Sequence, residues 1–133
     1  MEKLFNGISI AVAIIGGAIA QLLGGYDMIL KAIILLVVLD YATGIIKGVY
    51  LKELSSEVGF KGILKKVMIF IVIALAVVIQ RLVGNAIALR EIVIMFFACN
   101  EALSLLENAA ILIPIPDKLK EVLTQLRDKE TEE

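Results

Sequence analysis

The chain has 133 residues, 60% of them hydrophobic, and a mean hydropathy of +0.96. Soluble proteins average about 45–50% apolar residues, and a soluble domain of this size has no core large enough to hide the excess, so the membrane class comes first. A net charge of −1 argues against nucleic acid as the main partner, the lack of histidine removes the commonest metal ligand and the usual activating base, and the one cysteine, Cys99, permits no intramolecular disulfide. No catalytic residue, metal site or cofactor is expected, and an enzyme is disfavoured.

The N-terminal stretch MEKLFNGISIAVAIIGGAIAQLLGG resembles a signal peptide in outline. Its apolar run is long for one, however, and more apolar segments follow, so it reads as a first membrane span, about 5–23. Two rows of small residues recur along it every four positions: Gly16, Ala20 and Gly24, and Ala13, Gly17, Gln21 and Gly25. Such rows let helices approach closely, and Gly44 and Gly48 repeat the pattern in the next span. These positions are therefore expected to form helix-packing faces.

A second span, about 28–49, follows the break GGYD. Inside it Asp40, Thr43, Gly44 and Lys47 fall within about 100° of arc on a helix. Lys47 can reach the membrane surface with its long stem, whereas an intramembrane acid such as Asp40 is either functional or paired to a neighbouring helix. The polar linker LKELSSEVGFKG leads to a third span, about 63–83, and RLVGNAIALRE turns into a fourth, about 92–113. Pro114 and Pro116 end the fourth. Leu119, Val122, Leu123 and Leu126 then repeat at helical spacing among charges, which predicts a short amphipathic helix over about 117–128, with a frayed charged end.

The expected architecture is an all-α integral membrane bundle of four spans over 1–116 with a charged amphipathic tail over 117–133. Orientation follows from the basic residues. The termini and the loop after the second span hold Lys3, Lys47, Lys52, Lys61, Lys65, Lys66, Lys118, Lys120, Arg127 and Lys129; the other side holds Lys31, Arg81 and Arg90. Ten against three places both termini on the cytoplasmic side.

The fourth span raises the sharpest question. Asn100, Glu101, Ser104, Glu107 and Asn108 lie within roughly 120° of arc, opposite an apolar face. Two central carboxylates cost roughly 5–7 kcal/mol on insertion scales, while about ten large apolar residues gain about 3–6 kcal/mol. As an isolated helix the span is near break-even, so its stripe needs company. Two readings stand: a static seam inside a bundle, or the lining of a water-filled opening.

Three stretches, LDYATGIIKG, LSSEVGFKGILKK and NEALSLLENAAILIPIPDKLKEVLTQL, resemble the toxin-secretion/phage-lysis holin family. The resemblance rests on Asp40, Thr43 and Gly44; on Ser55, Ser56, Gly59, Gly62, Lys65 and Lys66; and on Asn100, Glu101, Ser104, Glu107, Asn108, Pro114 and Pro116. It covers about two-thirds of the chain, and Ile113 departs from it where a glycine is expected. The resemblance implies a protein that accumulates in the host cytoplasmic membrane, assembles with copies of itself, and opens timed lesions. These would release a cell-wall hydrolase (an endolysin) or a large toxin, with an antiholin as a conceivable antagonist. A small proton-coupled multidrug transporter is the competing class, although it would need aromatics around a cation site and this chain has no Trp and three Tyr. A membrane scaffold acting through its tail is a third.

Overall fold

The computed structural model describes residues 1–132, which are all-α: α1 (Glu2–Leu22), α2 (Met28–Tyr50), α3 (Ser56–Leu82), α4 (Leu89–Ala109) and α5 (Asp117–Glu132). The first three are long and apolar enough to cross a membrane; α4, interrupted by Asn100, Glu101, Glu107 and Asn108, is not among them.

Local chemistry sets the helix ends. Asp27 caps α2 by accepting the Leu30 N–H at 3.1 Å, and Ser55 caps α3 by accepting that of Val58 at 3.2 Å. The second cap moves the start of α3 well ahead of the expected position 63, so most of the supposed polar linker is helical. At the other end of the chain, α4 stops at Ala109, short of the expected 113. The N–H groups of Leu112 and Ile113 both return to the Ala109 carbonyl, at 3.0 and 2.9 Å. Pro114 disfavours helical backbone at Ile113, and the chain has already turned. The tail helix continues to Glu132 rather than fraying near Asp128; Glu133 lies outside the described residues.

The α1–α2 turn is a glycine C-cap. Gly24 and Gly25 adopt φ of +91° and +111°, and the Gly25 N–H reaches back to the Ala20 carbonyl at 2.8 Å. Gly24 thus lies beyond the helix end and serves the turn rather than the small-residue row expected for it. A Cβ there would also run into the Arg90 side chain. Gly24→Ala should destabilise the protein by at least about 1–2 kcal/mol, the cost of a left-handed backbone for an L-residue. Gly16→Ala, in open helix, should be neutral or slightly stabilising. The midpoint of detergent-induced unfolding followed by circular dichroism distinguishes the two.

Packing centres on α4, which lies against α2 and α3, while α2 and α3 touch each other sparingly. The core is Leu30, Ile33 and Val37 of α2, Ile69 and Ile73 of α3, and Ile94 and Ala98 of α4, with Leu23 from the first turn. On each helix these residues recur at helical spacing, which defines one inward stripe. α5 doubles back along α4. By contrast α1 buries none of its residues, and Gly16 and Gly17 meet nothing within 4 Å. No close-packing face forms on the middle of α1 within the protomer. Of the other small residues, Gly44 faces Asn108 and Gly48 faces Leu54.

A candidate functional site built from two polar tiers

The inward stripes carry charges at both ends of the apolar core. On α2 the buried positions run Leu30, Ile33, Val37 and Asp40; on α4 they run Arg90, Ile94, Ala98 and Glu101. On α3, Lys66 precedes Ile69 and Ile73 with the same spacing. The periodicity that builds the core therefore also aims these side chains inward.

The first tier joins three helices. Lys66 Nζ donates to Asp40 Oδ2 at 2.5 Å and to Glu101 Oε2 at 2.6 Å. Asp40 is 5% exposed and Glu101 7%. Asn108 extends the network by donating through Nδ2 to Asp40 Oδ1 at 3.0 Å, to the Asp40 carbonyl at 3.2 Å and to Thr43 Oγ1 at 3.1 Å. The Thr43 hydroxyl in turn is bonded to the carbonyls of Leu39 and Asp40, and Gly44 leaves room for the Asn108 amide, 3.7 Å from where a Cβ would stand. Tyr41 lies against Gly59 and Gly62, its hydroxyl donating to the Gly59 carbonyl at 3.3 Å. A cavity of about 180 Å³ opens beside the network, bordered by Asp40, Gly44, Gly62, Lys66 and Asn108. It is roomy enough for several waters, each needing about 30 Å³.

Asp40 and Thr43, Lys66, and Glu101 and Asn108 come from the three separate sequence stretches singled out above. They meet at one point. Lys66 was the member that sequence reading missed as a site residue, because a lysine beside Lys65 at a span boundary is already explained by topology. The signal available was its spacing to Ile69 and Ile73.

The expected stripe on α4 divides. Glu101 and Asn108 turn into the bundle. Asn100 is half-buried and faces α5, accepting from Arg127 Nη1 at 3.4 Å. Ser104 is half-buried and Glu107 is exposed. Lys47 sits in the last turn of α2, half-buried, where a cation suits the negative end of the helix dipole.

The second tier closes the opposite end of the core. Arg90, 4% exposed, donates to the carbonyls of Leu23 and Gly25 at 2.5 and 3.0 Å. It also clamps both oxygens of Asp27, at 2.8 and 2.9 Å, a bidentate geometry characteristic of arginine. Its own backbone N–H donates to Gln80 Oε1 at 2.8 Å. Hydrogen bonds from Arg90 hold the Asp27 carboxyl at about 2, well below the usual carboxylate range. One residue thus ties the α1–α2 turn to the end of α3 and the start of α4.

Comparison with known proteins agrees with this picture. The chain is 40% identical over 131 residues to an uncharacterised 14.9 kDa protein in the nagH 3' region of Clostridium perfringens, covering 97% of this chain and 99% of that one. It is 36% identical over 117 residues to an uncharacterised protein of Listeria innocua, covering 87% and 84%. It is 32% identical over 133 residues to a protein named as a probable holin of Bacillus phage phi105, covering 96% and 92%. No solved structure matches it significantly. The bacteriophage holin family matches residues 17–128, which include every residue of both tiers, and the chain belongs to that family.

Proposed function

We propose that this protein is a working holin. It accumulates in the bacterial cytoplasmic membrane as a four-span protein with both termini cytoplasmic, self-associates, and opens lesions through which a cell-wall hydrolase or a large toxin leaves. The observation that carries the reading is the convergence of the three polar stretches on the Asp40–Lys66–Glu101 network. Within one protomer the costly groups are satisfied helix to helix, so the protein can accumulate without breaching the bilayer. Two arrangements of similar energy are what an abrupt, collective opening requires. The ten-to-three distribution of basic residues supports the orientation. Self-association is supported by α1, which is mostly apolar, buries nothing in the protomer and leaves Gly16 and Gly17 bare.

The test is induction in a bacterium that also makes a cell-wall hydrolase lacking an export signal. The expected course is silent accumulation in the membrane, then abrupt loss of membrane potential and lysis. Gly16→Leu with Gly17→Leu should delay or abolish that step and reduce cross-linked oligomers. Ample membrane accumulation with an intact potential and retained hydrolase would refute the holin reading.

A further inference from the structure

The two polar tiers are close together for a membrane protein. Along α2, Asp27 to Asp40 spans about 20 Å; along α3, Lys66 to Gln80 spans about 21 Å; along α4, Arg90 to Glu101 spans about 17 Å, at about 1.5 Å per residue. A bilayer core is about 30 Å thick. Three helices give nearly the same short interval, and the core residues of α2, α3 and α4 fall inside it.

Two further observations fix where the interval ends. On α3 the stretch Val67–Ile79 is uncharged, and Lys61, Lys65 and Lys66 lie just before it. On α4 the tail helix reaches back far enough for Arg127 to meet Asn100. The end of that helix, with Arg127, Asp128, Lys129 and Glu130, is too charged for hydrocarbon. The level at which it meets α4 must therefore hold water or headgroups. On the α2–α3 side the exposed apolar residues Ile45, Ile46, Phe60, Ile63 and Leu64 continue past this level, so the leaflet keeps its depth there.

Resting on the cytoplasmic orientation proposed above, we infer that the α4–α5 face is an interaction surface for lipid headgroups drawn into the cytoplasmic leaflet, which is thinned beside it to the level of Asn100 and Glu101. α5 interleaves Lys118, Lys120, Arg127 and Lys129, which suit lipid phosphates, with Asp117, Glu121, Asp128 and Glu130, which suit headgroup amines. Ser104 and Glu107 then stand in water or headgroups before any lesion opens.

Thiol labelling tests the depth. In a Cys99→Ser background, Ser104→Cys and Glu107→Cys should react with a charged, membrane-impermeant thiol reagent in inverted vesicles at non-lytic expression. Ile71→Cys and Leu75→Cys, exposed inside the interval, should not. Labelling that fails at both Ser104→Cys and Glu107→Cys would overturn the inference while leaving lysis, and so the holin reading, untouched.

Discussion

Replacing Lys66 with methionine should destabilise the protein by roughly 3–5 kcal/mol, the usual result of removing one partner from a buried ion pair. The ammonium is shared by Asp40 and Glu101, both almost wholly buried. Without it, two carboxylates are left facing each other with only the Asn108 amide, on Asp40, for company. The loss should show as a lower midpoint of detergent-induced unfolding. In cells it should show as poor accumulation or premature loss of potential. A triple variant, Lys66→Met with Asp40→Asn and Glu101→Gln, removes all three charges at nearly constant shape. It should recover at least half of the lost stability, because a buried pair replaced whole is far less costly than one broken. If Lys66→Met alone unfolds at the wild-type midpoint, the first tier does not hold the bundle together.

Arg90→Ala should come next in size, at about 2–4 kcal/mol, and Arg90→Lys should restore only a minor part. The argument is about geometry as much as charge. Arg90 satisfies the Leu23 and Gly25 carbonyls as well as Asp27, and carbonyls left unpaired in a buried place cost about 1–3 kcal/mol each. A lysine cannot make the bidentate clamp. The Asp27 partner is half-exposed, 51% on its side chain, so the ion pair itself contributes little and the carbonyls decide the effect. Asp27→Asn, which keeps the helix cap and loses the charge, should therefore be mild. The pH dependence has a definite sign. The Asp27 carboxyl is depressed from 3.8 to about 2, so its contribution is fully present above about pH 4 and is lost as pH falls through about 2. Asp27→Asn should remove this acid-sensitive component from the unfolding profile. An unchanged profile would place the acid sensitivity elsewhere.

Helix count, the amphipathic tail and the positions of the polar residues were all legible from the chain, because each is a local property. Apolar runs near 20 residues act within a few positions of themselves; the Ser55 cap and the Gly24–Gly25 turn are equally local, but only the structure shows them, starting α3 at Ser56 rather than 63 and taking Gly24 out of the packing row. The stretches around Asp40, Lys66 and Glu101 were visible too, each as a separate motif. Which of these residues meet was not visible. Lys66 lies 26 and 35 positions from its two partners, and Arg90 lies 63 from Asp27. Their contact depends on the rotation and axial offset of α2, α3 and α4 about one another, which packing of the shared core decides. That rotation divides the polar arc of α4, turning Glu101 and Asn108 inward and leaving Glu107 outside. The tertiary structure likewise decided that the small-residue rows of α1 stay unpacked within the protomer and that α5 lies back along α4. No periodicity within a single helix encodes either result.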